Sequence, residues 1–379
     1  MQNLITTKRM RRPIMAITMA VLTASTLYAG ANGPTESSEN ATSEATPATG
    51  SIDADGTVNV PAFQLPPSLY TSEQAKAALP RKPFDPEVLM NQAVAAGRAG
   101  EMRARIGEFM APRIKHFTDL YPVQLHNTTI AGVPAVILKP AGGIPAPNKS
   151  KVMLELPGGG FVMGSAHGTG MLESIPLAVM DKIEIISITY RQGPEFKYPA
   201  ATEDVIAVYR ELLKTYKPND IAIFGCSAGG ILAAESVASF QKEKLPLPGA
   251  IGIFCASADM RAAGDSHYFA RPFQALPADN RERDYFKGVD LRDPLVSPIV
   301  SPEVLKHFPP TLLISATRAQ EMSAAVATHR ELVKAGVDAE IQLWDGLGHA
   351  FFYNIDLPES REAFDVMAKF FARHLRLSQ

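Results

Sequence analysis

The chain of 379 residues is poor in cysteine and nearly balanced in charge, and each shortage argues against a class of protein. Two cysteines, Cys226 and Cys255, are too few for a disulfide framework, so we expect buried free thiols, with one disulfide as the alternative. A formal net charge of -2, without a basic stripe interleaved with aromatic residues, argues against a nucleic-acid partner. Histidine, cysteine and acidic residues do not recur at metal-ligand spacing, so we expect no metal and no cofactor.

The N-terminus has the three parts of a secretory signal peptide. A basic stretch at residues 8–12 precedes an apolar run at 14–27, and small residues follow at 29–31. The apolar run is shorter than the roughly 20 residues that a transmembrane helix needs. We therefore expect residues 1–31 to be a signal peptide and the mature protein to be periplasmic or secreted, without stable membrane insertion. An uncleaved anchor is the alternative.

The rest of the chain divides by composition. Residues 32–57 are rich in small and polar residues and poor in bulky apolar ones, which predicts a flexible linker. Residues 58–120 are predicted to form an N-terminal cap region, with one or two helices over 86–111. Residues 121–379 form the predicted main domain, and the charges and aromatic residues at about 259–294 indicate a second cap insertion.

Short apolar segments alternate with helical ones from residue 121 onward. Continuous apolar strands that alternate with helices indicate a parallel sheet covered on both faces. We therefore predict an α/β fold with a mostly parallel central sheet flanked by helices, and a helical cap built from the N-terminal region and the insertion. The predicted strands are 121–130, 134–138, 152–156, 183–189, 221–224, 250–255, 311–315 and 340–344.

The pentapeptide 225–229 has the sequence Gly-Cys-Ser-Ala-Gly and joins the predicted strand 221–224 to a helix. A strand-to-helix turn this sharp needs glycines beside a strained serine, and it lifts the serine hydroxyl out of the sheet edge. Ser227 is therefore the candidate nucleophile.

Two other glycine-rich segments supply what a nucleophilic serine needs. The glycine run after strand 152–156 leaves backbone N–H groups open to a developing oxyanion, so Gly158, Gly159 and Ala228 are the predicted oxyanion hole. His349 lies in a glycine-rich loop after the last strand, where a base must take up and return the serine proton.

Several stretches of this sequence match one known family in the same order. They are 158–162, 190–191, 198–201 with 203–204, 225–229, 293–298, 309–314 and 348–351. On these stretches the chain from about residue 133 to 375 resembles the bacterial hormone-sensitive-lipase-like esterases, which have the α/β-hydrolase fold. The resemblance implies a carboxylesterase that cleaves small-molecule esters through an acyl-enzyme. Several members of that family form dimers, so a homodimer is one expectation.

Two positions depart from the family pattern. Pro157 stands where the family has a histidine that braces the oxyanion loop. Ala319 stands where the family has its catalytic aspartate, and alanine can neither orient a histidine nor stabilise its cation. Glu321, two residues further along the same loop, is the predicted replacement because its longer side chain can reach His349. Asp345 lies in the histidine loop, and we expect it to be structural.

Other outcomes stay open at this point. A serine–histidine dyad without an acid would retain weak catalysis, since removing the acid commonly costs about 10⁴-fold in turnover. Ala319 is also compatible with lost catalysis or with an engineered substitution. A carboxylesterase is the predicted function. The alternatives are a weakened or non-catalytic ligand-binding homologue, a lactonase, an amidase or a hydrolase of a bulky xenobiotic ester.

Overall fold

The part of the chain that the structure, a computed structural model, describes comprises residues 50–79, 92–261, 263–270 and 284–378. The chain divides into two compact units, Met1–Gln64 and Leu65–Gln379. The predicted signal peptide, most of the predicted linker and parts of both predicted cap segments lie outside the described residues.

The first unit contains a small antiparallel hairpin. Strand β1 (Ser51–Ile52) pairs with strand β2 (Val58–Asn59). Between them, the side chain of Asp55 accepts a hydrogen bond from the N–H of Thr57 at 2.9 Å, which closes the turn. The end of the segment that composition assigns to the linker therefore forms a strand and a turn.

The second unit is built on an eight-stranded sheet. Its strands are β3 (Val123–Ile130), β4 (Val133–Pro140), β5 (Val152–Leu156), β6 (Glu184–Ile188), β7 (Ile221–Cys226), β8 (Ala250–Phe254), β9 (Thr311–Ala316) and β10 (Ala339–Trp344). They lie in the order β10-β9-β8-β7-β5-β6-β4-β3, and only the pairs of β4 with β3 and β6 are antiparallel. The predicted mostly parallel sheet is confirmed, and each strand end lies within two residues of its prediction.

Helices cover both faces of this sheet, as predicted. They are α1 (Glu73–Ala78), α2 (Ala99–Leu120), α3 (Thr169–Met180), α4 (Ala200–Leu212), α5 (Ala228–Lys242), α6 (Asp265–Phe269), α7 (Pro302–Leu305), α8 (Met322–Lys334) and α9 (Pro358–Leu375). Apolar residues of α3 and α9 pack into one core cluster, and those of α4, α5 and α8 into a second. Within the described residues, the helices are too short or too polar to cross a bilayer.

Helix α2 continues beyond the end that the sequence predicts. A helix ending at residue 111 was expected before Pro112, but the helix passes through this proline to Leu120. Proline inside a helix removes a hydrogen bond and crowds the preceding turn. Phe117 is fully buried, with its ring 6.4 Å from that of Phe364, so tertiary packing outweighs the local cost. The predicted end at residue 111 is wrong because the packing of Phe117 keeps the chain helical to Leu120.

Both predicted cap segments contact the region directly after the glycine run. Arg103 of α2 donates from Nε to the carbonyl of Val162 at 2.7 Å and forms a two-point ion pair with Glu195. In the described part of the insertion, the ring of Tyr285 is buried and stacks on that of Phe161 at 5.0 Å. The carboxyl edge of the central strands is therefore framed by α2 and by the insertion.

Candidate active site

Ser227 lies in the turn between β7 and α5. Its backbone has φ 59° and ψ -123°, a conformation that costs about 1–3 kcal/mol for a residue with a side chain. The N–H of Ser227 donates to the carbonyl of Phe254 at 2.8 Å, and this bond fixes the turn against β8. Its side chain is only partly buried, while the residues on either side are buried. The predicted placement of the motif between a strand and a helix is confirmed.

The glycine at the far side of this turn permits close backbone approach. A Cβ atom on Gly229 would lie 1.7 Å from the carbonyl oxygen of Leu156, the last residue of β5. Because no side chain fits there, helix α5 begins directly against the strand that carries the glycine run. The nucleophile turn and the glycine run are thus adjacent.

His349 lies in the loop after β10, and its Nδ1 is 3.0 Å from Oε2 of Glu321. Glu321 precedes the first residue of α8. Its other oxygen, Oε1, accepts a hydrogen bond from the hydroxyl of Ser315 at 3.1 Å. The side chains of Glu321 and His349 are 12% and 28% exposed, so water screens the pair only in part. The structure therefore brings Glu321 to His349, as the sequence predicted.

The surroundings of Glu321 favour its ionised form. Burial by itself would raise the pKa of this carboxyl, but the charge of His349 and the hydrogen bonds from His349 and Ser315 together bring the pKa below the ordinary value of 4.5. Its position at the N-terminus of α8 acts in the same direction, because the helix dipole stabilises a carboxylate there. Glu321 is therefore an anion at neutral pH.

The other two positions discussed from sequence have different surroundings. Ala319 is fully buried within an apolar core cluster, so the loop turns inward where the family has its acid. Asp345 accepts hydrogen bonds from the hydroxyls of Thr317, at 2.9 Å, and Ser68, so its oxygens serve the loops rather than His349. Both bonds lower the pKa of Asp345, that from Ser68 most. This agrees with the structural role expected for Asp345.

A short path of contacts joins the nucleophile turn to the histidine loop. Phe254 accepts the bond from Ser227, and the next residue, Cys255, accepts a hydrogen bond at its Sγ from the N–H of Ala350 at 3.2 Å. The Sγ of Cys255, a carboxylate oxygen of Glu321 and a ring nitrogen of His349 all lie within 4.8 Å of one another. Sequence spacing did not indicate this cluster, because its members come from three loops.

The two cysteines, Cys226 and Cys255, are both buried, and neither forms a disulfide. The expectation of free thiols is confirmed.

The glycine run is oriented by hydrogen bonds on both sides of Gly158. Its N–H donates to Oε1 of the buried Glu173 at 3.4 Å, and its carbonyl accepts from the hydroxyl of Thr169 at 2.6 Å. Since the carbonyl and N–H of a trans peptide point in opposite directions, the N–H of Gly159 points away from Thr169. Gly159 is also partly exposed, whereas Gly158 is buried.

The prediction for Gly158 is corrected accordingly, because its N–H is directed into the core. Among the described residues, no hydrogen-bond acceptor is found for the N–H groups of Gly159, Gly160 or Ala228. Gly159 and Ala228 thus keep the free donors that the sequence expected of them. Sequence reasoning missed Gly160, since three successive glycines carry no sign of which peptide turns inward.

A segment before α1 holds the histidine loop and the loop that carries Glu321. We call residues 65–72 the N-terminal strap. Besides the bond from Ser68 to Asp345, its Pro66 carbonyl accepts from Nη2 of Arg318 at 2.6 Å. The N–H and hydroxyl of Ser72 donate to the carboxylate of Glu359, at 2.5 and 2.9 Å. The strap therefore braces both loops and the first turn of α9.

Comparison with known proteins shows a consistent likeness. A family model described as an alpha/beta hydrolase fold matches residues 153–353, which include Ser227, Glu321 and His349. An acetyl-hydrolase of Streptomyces hygroscopicus is 31% identical over 232 residues, covering 60% of this chain and 77% of that protein. An arylesterase of Saccharolobus solfataricus is 27% identical over 209 residues, covering 53% and 68%.

Solved structures agree with these matches. The crystal structure of an esterase, E25, gives a TM-score of 0.72 at 28% identity and covers 84% of this chain and 99% of that chain. An esterase from the bacterial hormone-sensitive lipase family gives a TM-score of 0.64 at 27% identity, covering 80% of this chain and 95% of that chain. The likeness thus extends over nearly the whole length of both solved chains.

Proposed function

We propose that this chain, which belongs to the α/β hydrolases and to their hormone-sensitive-lipase-like esterases, forms an acyl-enzyme on Ser227. The chain is a carboxylic ester hydrolase. His349 acts as the base and Glu321 as the acid behind it. The observation that carries this assignment is the 3.0 Å contact between His349 Nδ1 and Glu321 Oε2. Glu321 thereby takes the role of the aspartate that the family has at the position of Ala319.

The reaction proceeds in two halves. The hydroxyl oxygen of Ser227 attacks the ester carbonyl carbon while its proton passes to Nε2 of His349, because Nδ1 faces Glu321. The carbon–oxygen bond to the alcohol then breaks, and His349 returns the proton to the leaving alcohol. Water attacks the acyl-enzyme by the same route and releases the carboxylic acid.

The negative charge of each tetrahedral intermediate is held by backbone donors. We assign this role to the N–H groups of Gly159, Gly160 and Ala228, and no longer to Gly158. The orientation of the peptides around Gly158 and the free N–H groups support the assignment. The helix dipole of α5 adds to the field at this position.

We propose that the substrates are esters of short acyl groups, and of the acetyl group in particular. Two relatives support this choice: the acetyl-hydrolase of Streptomyces hygroscopicus, and a versiconal hemiacetal acetate esterase of Emericella nidulans that is 29% identical over 193 residues. A series of p-nitrophenyl esters from acetate to decanoate tests the proposal. We expect kcat/KM to be highest for the shortest esters, and a maximum at long chains would contradict it.

The acyl-enzyme itself is tested by labelling with a fluorophosphonate. We expect one adduct, located at Ser227 by peptide mass analysis, and none in Ser227→Ala. His349→Ala should label far more slowly, since the hydroxyl then lacks its base. A labelled Ser227→Ala variant, or turnover that survives this substitution, would exclude Ser227 as the nucleophile.

We also propose that the chain is exported. The basic stretch and apolar run before residue 31 support this. Fractionation of cells into cytoplasm, membrane and periplasm, with N-terminal sequencing of the protein recovered, tests it, and a protein that stays in the cytoplasm with Met1 intact would contradict it.

A further inference from the structure

Glu173 is a buried carboxyl that the mechanism above does not use. It lies in α3, whose sequence Thr-Gly-Met-Leu-Glu-Ser-Ile-Pro-Leu-Ala-Val-Met has no other charged residue, and it is 1% exposed. A carboxyl so placed is costly unless it is well hydrogen-bonded. Its partners are therefore informative.

The carboxyl of Glu173 joins three segments of the active site. Oε1 accepts from the N–H of Gly158 at 3.4 Å, in the oxyanion loop, and Oε2 accepts from the N–H of Cys226 at 2.8 Å, in the nucleophile turn. Oε1 also accepts from the hydroxyl of Tyr353 at 2.5 Å, four residues beyond His349. No other described side chain is bonded to all three segments.

The bond to Gly158 sets the orientation of the oxyanion loop. The carbonyl of the same peptide, on Pro157, accepts from the hydroxyl of Tyr190 at 2.6 Å, so both ends of the peptide are fixed. Pro157 occupies the position of the histidine that braces this loop in the family, and proline has no side-chain donor. The brace in this chain comes from behind the loop instead.

We infer that Glu173 is a positioning residue that holds the oxyanion loop and the nucleophile turn in their catalytic arrangement, replacing the brace lost at Pro157. It touches neither substrate nor the reacting atoms, and acts through Gly158 and Cys226. The inference rests on the acyl-enzyme mechanism proposed above.

The ionisation of Glu173 gives this role a measurable signature. Burial raises the pKa of Glu173 to about 7, and the bonds from Tyr353, Gly158 and Cys226 oppose the rise. A second buried carboxyl, Glu155 on β5, has its pKa raised well above the ordinary value of 4.5 by burial and by the charge of Glu173. The titratable groups that face Glu173 are Glu155, Tyr353, Cys226 and Tyr190.

Protonation of Glu173 removes one acceptor position, so the brace weakens as the pH falls below about 7. His349 must also lose its proton to act as a base. We therefore expect the acid side of the kcat profile of the wild type to be steeper than a single ionisation gives.

The test is Glu173→Gln, which keeps the shape but removes the charge and one acceptor. We expect kcat to fall about ten- to hundredfold, the range for losing a charged hydrogen bond, with KM changed less than about threefold. The acid side of its profile should follow a single ionisation. Tyr353→Phe removes the bond to Oε1 and the contact of the same hydroxyl with the thiol of Cys226, and it leaves both backbone bonds to Glu173 in place. This variant should lower kcat about three- to tenfold. It should also move the acid side of the kcat profile to higher pH, since the bond from Tyr353 lowers the pKa of Glu173.

The matched control is Asp181→Asn at the other end of α3. Asp181 is buried, and its carboxylate oxygens have no hydrogen-bond partner in the described residues. This variant should keep the wild-type kcat and pH profile. If Glu173→Gln does not fold, Tyr353→Phe decides alone. If kcat and the acid side of its pH profile are unchanged in either variant, the inference is overturned. A loss of kcat in Asp181→Asn as large as that in Glu173→Gln would overturn it as well.

These outcomes are separable from the failure of the mechanism itself. Wild-type protein that neither turns over p-nitrophenyl acetate nor takes the fluorophosphonate label would refute the acyl-enzyme on Ser227. An active wild type with unaffected Glu173 and Tyr353 variants would refute only the positioning role.

Discussion

Replacing Glu321 by glutamine removes one charge at 3.0 Å from His349 and leaves the volume of the side chain nearly unchanged. The hydrogen bond from Ser315 to the remaining oxygen can persist. What is lost is the anion that stabilises His349 when it takes the proton of Ser227. Because that positive charge develops only on the way to the transition state, the loss should fall on kcat rather than on KM.

The size of the effect follows from the geometry. Two unit charges 3.0 Å apart attract by about 5 kcal/mol at an effective dielectric constant of about 20. At about 1.4 kcal/mol for each factor of ten, the whole attraction corresponds to roughly 10⁴-fold in rate, the loss commonly seen when a serine triad loses its acid. His349 is 28% exposed, so water replaces part of the lost interaction. We therefore expect kcat of Glu321→Gln to fall by about 10³-fold.

The assay is steady-state hydrolysis of p-nitrophenyl acetate across pH 5 to 9. The acid limb of kcat/KM should also move to lower pH, because the protonated imidazole loses its neighbouring charge. Asp345→Asn is the control, since Asp345 is closer to His349 in sequence yet bonds to Ser68 and Thr317. A Glu321→Gln variant that keeps more than about a tenth of kcat, or an Asp345→Asn loss of the same size, would refute the assignment and favour a dyad.

Three further outcomes are expected. Gly159→Ala should lower both kcat and the free energy of unfolding, by about 2 kcal/mol or more for the latter, because φ is 142° and the added Cβ would meet a backbone nitrogen at 2.3 Å. Gly142→Ala, where a Cβ meets nothing within 4 Å, is its control in turnover and denaturant unfolding. The lowered pKa of Glu321 stabilises the fold above its ordinary value of 4.5, so the Tm difference between wild type and Glu321→Gln should shrink as the pH falls from about 5 through the lowered pKa. Cys226 and Cys255 should both react with a thiol reagent only after unfolding, and the absence of any reactive thiol in denaturant would indicate a disulfide between them.

The architecture could be predicted from the sequence because the patterns that indicate it extend over only a few neighbouring residues. The inner strands β5, β7, β8 and β9 are buried at every position, and buried strands appear in the sequence as nearly continuous apolar runs. The nucleophile turn was readable for a similar reason, since its glycines are required by a contact as close as that between Gly229 and Leu156. The end of α2 was missed because packing around Phe117 decides it, and packing is not local.

The group behind the histidine could be predicted only in part. Reach and loop position were enough to select Glu321, because Ala319 left few carboxylates within range. The direction of each peptide in the glycine run could not be read, since it depends on Glu173 and Thr169 from another helix. One feature of the sequence could have indicated Glu173, because it is the single carboxylate within an apolar helix. A buried carboxylate of this kind requires hydrogen-bond partners, which the backbone can supply.

The N-terminal strap bears on how small a working version of this enzyme can be. A chain shortened to begin at the first strand of the large sheet would retain Ser227, Glu321, His349 and every strand that carries them. It would lose the partners that residues 65–72 provide for Asp345, Arg318 and Glu359. Such a fragment would contain all of residues 153–353, which the family model matches, and still hold its base loosely. We therefore expect the smallest autonomous esterase within this sequence to begin well before residue 153, where the match to the family model starts.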